Sequence, residues 1–89
     1  MSKVYLALQD NDMSRYIVAA VEADNPGVTV IYQPAMVRME REDSLTVRRS
    51  TVEAQLGQKW DVQELHLNLI TLGGNVEEDD EAFSLSWAR

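Results

Sequence analysis

Hydrophobic positions along this chain change period several times, and each change marks an element. Val4, Leu6 and Leu8 alternate with Tyr5, Ala7 and Gln9, the period-two pattern of a half-buried strand. Asn11 and Asp12 then offer side chains that cap a helix N-terminus. Met13, Tyr16, Ile17, Ala20 and Val21 fall at helical spacing, which predicts an amphipathic helix over residues 13–24. Asn25-Pro26-Gly27 ends it, because proline cannot continue a helix and glycine accepts the left-handed turn. Val28 to Tyr32 is β-branched and aromatic, a second strand. Gln33-Pro34-Ala35 breaks it, Met36 to Glu40 forms a third, and Arg41-Glu42-Asp43 is a polar turn. Leu45 and Val47 face inward from a fourth strand over 44–48.

Ser50-Thr51-Val52-Glu53 has the spacing of a capping box and predicts a second helix from Ser50 to about Leu56, weakened at Gly57. Asp61 to Glu64 repeats the cap pattern and predicts one short helical turn. Leu65, Leu67 and Leu69 alternate with His66 and Asn68, a fifth strand that ends at Gly73-Gly74. Phe83, Leu85 and Trp87 alternate with Ser84 and Ser86, a sixth. The five acids between these strands, Glu77 to Glu81, repel one another and predict a solvated, mobile loop. Strand–helix–strand–strand thus occurs twice, over residues 3–40 and 44–88. The order predicts one α+β domain over residues 1–89, two β-α-β-β units with helices packed on antiparallel sheet. A ferredoxin-like sandwich is the alternative arrangement.

Composition narrows the function. The chain of 89 residues is 45% hydrophobic and 26% charged, an ordinary globular balance. No apolar run approaches the ~18 residues of a membrane span. The N-terminus has no long apolar region before a cleavage site, so a cytoplasmic location is expected. Without cysteine there is no disulfide, thiolate metal site or cysteine nucleophile. The net charge is −7, and five of the 15 acids lie in the run at 77–81. The basic footprint of a nucleic-acid binder is missing, since Arg38, Arg41, Arg48 and Arg49 are interleaved with Glu40, Glu42 and Asp43.

Catalytic patterns are equally scarce. One histidine, His66, with Glu64 two residues away, does not make a metal site. It reads better as a partly exposed residue with its ring bonded locally. Ser14, Ser44, Ser50, Ser84 and Ser86 lack a nucleophile-elbow context. Gly73-Gly74 lacks the Gly-Lys-Ser/Thr ending of a phosphate loop and reads as a turn. Trp60 and Trp87 are expected in the core, and the acidic run offers electrostatic steering toward a basic surface.

Several segments taken in order resemble the regulatory, or coupling, components of bacterial multicomponent monooxygenases, above all the phenol hydroxylase type. They are Val-Tyr-Leu-Ala-Leu-Gln at 4–9, Asp24-Asn25-Pro26, Pro34-Ala35-Met36-Val37, Leu45 to Arg49, Gln-Glu-Leu-His-Leu-Asn-Leu-Ile at 63–70, and the acidic run ending in Phe-Ser-Leu-Ser-Trp at 83–87. The resemblance covers essentially the full length and implies duplicated β-α-β-β units. It implies a protein with no cofactor and no catalytic residue, which binds a separate di-iron hydroxylase and couples NADH consumption to hydroxylation. The electrons come from a reductase carrying flavin and an iron–sulfur cluster. Asn11, Asp12, Ser14 and Arg15 at the first helix, and Pro34, Ala35 and Met36 at the break, are the expected contact residues, because loops on rigid scaffolds carry contacts. A cap role alone for Asn11 or Asp12 is the competing reading. The contrasting class is a small-molecule-binding or enzymatic ferredoxin-like domain, which would have a ligand pocket.

Overall fold

The computed structural model describes residues 3–87. The expected domain limits at residues 1, 2, 88 and 89 lie outside them. Strand β1 (Lys3–Gln9) is followed by helix α1 (Asp12–Asp24), β2 (Thr29–Gln33), β3 (Met36–Glu42) and β4 (Ser44–Arg48). Helix α2 (Arg49–Leu56), a 3-10 helix (Val62–Leu67), β5 (Leu69–Gly73), β6 (Asn75–Glu78) and β7 (Ala82–Ser86) complete the order. The strands form two antiparallel sheets, β2-β3-β1-β5 and β4-β7-β6. The α+β class expected from sequence is the one observed. A single sandwich sheet of ferredoxin-like type is not formed. The first half keeps its strand–helix–strand–strand order. The second has one strand more, and its β5 crosses over to pair with β1.

One apolar core joins the sheets. Val4, Leu6 and Leu8 of β1 and Val37 and Met39 of β3 meet Leu45 and Val47 of β4 and Phe83 and Leu85 of β7. Helix α1 lays Ile17, Val18, Ala20 and Val21 into the same cluster. Each of the larger side chains contributes about 1.5–3 kcal/mol by leaving water, so the alternation in the strands and the stripe on α1 hold the halves together. Asn25 adds a polar seam. Its side-chain amide donates to the carbonyls of Val21 (2.9 Å) and Thr46 (2.8 Å), and its oxygen accepts from the Thr46 N–H (2.9 Å). It therefore pairs with the free edge of β4 as a neighbouring strand would.

On the opposite face of the first sheet, Tyr5 pairs across from Gly73. A Cβ at residue 73 would sit 2.2 Å from the Tyr5 ring, so only glycine lets the ring lie there. The Arg38 guanidinium covers the same ring, 4.0 Å from its centroid.

Several expectations need correction: Tyr16, on the predicted stripe of α1, is 41% exposed, and Arg41 and Glu42 of the predicted turn lie in β3. The strand predicted over Leu65, Leu67 and Leu69 begins only at Leu69, and Leu65 to Leu67 belong to the 3-10 helix. Asp61 starts that helix, its carboxylate accepting from the Gln63 N–H at 2.9 Å. Val62 and Leu65, three residues apart, are buried together by the three-residue turn, and this spacing outcompetes the leucine alternation. Only Asp79 to Glu81 of the acidic run form a connection between strands. Glu77 and Glu78 lie in β6, and Asp79 closes the turn to β7 by accepting from the N–H groups of Glu81 (2.8 Å) and Ala82 (3.0 Å). Aspartate bonding to backbone two and three residues on is strong turn chemistry, and it overrides the charge repulsion.

The capping box at Ser50 does not form. Helix α2 starts at Arg49, whose N–H donates to the Glu81 carbonyl (2.8 Å), and Glu53 instead accepts from the Trp60 N–H (2.9 Å). The β6–β7 turn has already satisfied the helix start, which leaves Glu53 to close the loop after the left-handed Gly57 (φ 80°). Trp60 is buried, but Trp87 is 49% exposed, its indole N–H donating to the Lys3 carbonyl at 2.7 Å. Ser14, expected on the surface, is fully buried.

Candidate docking surface

Three segments distant in sequence meet at one end of the molecule. The first is the start of α1. Asn11 caps the helix, its side-chain oxygen accepting from the Ser14 N–H at 2.9 Å. The second is the β2–β3 turn, where Asp10 N–H donates to the Ala35 carbonyl at 3.2 Å. The third is the junction of the 3-10 helix with β5. Asn68 accepts there from the Asn11 side-chain amide (2.7 Å), and its carbonyl accepts from Gln9 N–H (2.8 Å). Asn11 is thus both a cap and a bridge within the chain.

Local chemistry fixes each segment. Gln33 and Met36 pair across the turn, leaving Pro34 and Ala35 as its central residues. Proline presets the first of these, and Ala35 takes a positive φ of 62°, a position that ordinarily selects glycine. Holding alanine there costs about 1–2 kcal/mol, which the paired strands sustain. Arg15 forms an ion pair with Asp10 at 3.2 Å. The hydrogen bond to Asp10, then its negative charge, raises the Arg15 pKa above its ordinary value, so the guanidinium stays charged. At β5 the register with β1 slips between Ala7 and Leu8, leaving Ile70 as the extra, bulged residue, 47% exposed.

Of the residues singled out from sequence, Asn11, Asp12, Arg15, Pro34 and Ala35 are exposed at or beside this end, and Met36 is half-buried. Ser14 is not among them. It falls with Ile17, Val18 and Val21 at the i, i+3, i+4, i+7 spacing of the buried stripe, and its hydroxyl has no hydrogen-bond partner. The predicted stripe of Met13, Tyr16, Ile17, Ala20 and Val21 left Ser14 out because its side chain is polar. Tyr32, Leu67, Asn68 and Ile70 were missed. The three-residue spacing of Val62 and Leu65 behind the Asp61 cap was the signal that would have turned Leu67 outward.

His66 has the local partner expected for it. Its Nε2 lies 2.8 Å from Glu78 Oε1, and its ring meets Phe83 edge-on at 5.8 Å between centroids. A cleft of about 510 Å³ lies beside it, bordered by Asp61, Gln63, Glu78, Asp79 and Asp80. Among the described residues, no three His, Asp or Glu side chains converge as a metal site requires. Bonded amides, a fixed turn and exposed apolar side chains suit contact with another protein surface.

Comparison with known proteins shows the family. Residues 2–86 match the MmoB/DmpM family. The chain belongs to that family. It is 55% identical over 86 residues to the stimulatory component DmpM of phenol 2-monooxygenase from Pseudomonas sp. strain CF600, covering 97% of this chain and 96% of that one. Two solved phenol hydroxylase–regulatory protein complexes contain similar chains. One has a TM-score of 0.93 at 47% identity, covering 98% of this chain and all of that one. The other has a TM-score of 0.88 at 45% identity, covering 97% and 100%. The regulatory protein B of soluble methane monooxygenase shares the fold, with a TM-score of 0.75 at 16% identity over 97% of this chain and 65% of that one. As an MmoB/DmpM member this chain is a regulatory component of a monooxygenase, not the catalytic one.

Proposed function

We propose that this chain is the effector of a phenol-type multicomponent monooxygenase, that it binds the di-iron hydroxylase, and that it does so with the end described above. The single observation that carries the reading is the near-complete match to a regulatory chain solved in complex with phenol hydroxylase. The whole chain, residues 1–89, serves as one regulatory domain in the cytoplasm. Among the described residues, no helix is long and apolar enough to cross a membrane.

The proposed contact residues are Asn11, Asp12, Arg15, Pro34, Ala35 and Met36, joined by Leu67, Asn68 and Ile70. The effect follows from differential affinity. A regulator that binds one hydroxylase conformation better than another shifts the population toward it. Moving the balance from 1:99 to 99:1 takes about 5.5 kcal/mol of preference, well within what a protein interface supplies. In this reading electrons reach the hydroxylase from a flavin and iron–sulfur reductase, and the regulator's binding ties their use to hydroxylation. The chain itself supplies no reacting group.

The test is a titration of this chain into hydroxylase, reductase, NADH and phenol. Product formed per NADH should rise to a plateau at a fixed ratio of chain to hydroxylase. A flat yield across all ratios would remove the effector role.

A further inference from the structure

The 3-10 helix carries a leucine that the core does not use. Leu67 is 75% exposed, more than any other large apolar residue among those described. Both of its chain neighbours are tied down. On one side His66 is bonded to Glu78 of β6 and packed edge-on against buried Phe83. On the other, Asn68 accepts from the Asn11 amide and from Gln9 N–H, while its own N–H donates to the Leu65 carbonyl at 3.1 Å. Leu67 thus stands between two residues tied to different elements. A backbone held on both sides loses less freedom on docking, and the leucine gains its burial.

The surroundings specify the surface it meets. Through the His66–Glu78 bond, the β6–β7 hairpin with its acids Glu77, Glu78, Asp79, Asp80 and Glu81 flanks the 3-10 helix. We infer that Leu67 is the docking anchor. It enters an apolar recess on the hydroxylase, and the rim of that recess on the hairpin side carries lysine or arginine. The inference rests on the proposed hydroxylase docking and adds which residue enters and what receives it. The acids act at long range and are screened by salt, whereas the leucine acts only in contact.

Binding of the full chain to a purified phenol hydroxylase-type hydroxylase, followed by fluorescence anisotropy, tests it. Leu67→Ala should weaken binding about ten- to a hundredfold, and Leu67→Asp more. Leu67→Met should stay within about threefold, since volume and apolarity are kept. Raising salt should weaken the wild type and Leu67→Ala by similar factors, so the gap between them persists. Melting temperatures of the Leu67 variants should equal that of the wild type, because the side chain is not in the core. If the wild type binds and Leu67→Asp binds equally well, the anchor is wrong and the docking reading stands. If Leu67→Ala binds as tightly as the wild type, the anchor is also wrong. If the wild type does not bind the hydroxylase, both fall.

Discussion

Helix α1 ends in an asparagine-based bridge at each terminus, and the two bridges do different work. Asn25 is buried, and its amide makes three bonds that tie the helix end to the edge of β4. Asn11 is exposed, and its amide caps the helix and reaches Asn68, 57 residues away. The chemistry is the same amide. The surroundings differ, and with them the consequence of removal. A buried amide leaves unsatisfied partners behind when deleted, whereas an exposed one leaves partners that water can satisfy.

The largest expected effect therefore lies at the buried end. Asn25→Ala strands the Thr46 N–H and carbonyl and should lower unfolding free energy by about 2–4 kcal/mol, measured by urea denaturation. Folded Asn25→Ala protein should still bind hydroxylase normally, and a loss of binding by the folded fraction would break the contrast. Asn11→Ala should cost about 1 kcal/mol of stability, the usual worth of a cap, while weakening hydroxylase binding through the freed Asn68. Asn68→Ala sharpens this. It leaves the cap intact and removes one hydrogen bond at a half-buried residue, so stability should fall by about 0.5–1 kcal/mol. Binding should nevertheless fall, because the 3-10 helix loses its tie to α1. Smallest of all is Ala35→Gly. Relief of the positive φ and the added chain entropy nearly cancel, so a melting-temperature change equivalent to less than about 0.5 kcal/mol is expected.

The same two ends show what the amino-acid pattern reveals. Strand β1, helix α1 and the core residues of β4 and β7 were readable, because one period dominates each. The β5 region was not, because two periods compete there. Leu65, Leu67 and Leu69 alternate, yet Val62 and Leu65 share a three-residue turn launched by Asp61, and the turn forms. Charge misled at Glu77 to Glu81, where one aspartate's backbone bonds were enough to fold a hairpin. Glu53 misled in the opposite sense. Its capping pattern was present, but Glu81 in the β6–β7 turn had taken the helix start and left it to Trp60. The polar end of α1 was legible as a surface. Its joining to Asn68 was not, since no local pattern reports a contact across 57 residues.

Amide hydrogen exchange of the chain, free and with hydroxylase bound, addresses the location of docking most directly. Slowed exchange is predicted at Asn11 to Arg15, at Ala35 and Met36, and at His66 to Ile70, with little change in β4 and α2. Protection confined to β4 and α2, with these three segments exchanging as in the free chain, would contradict the account.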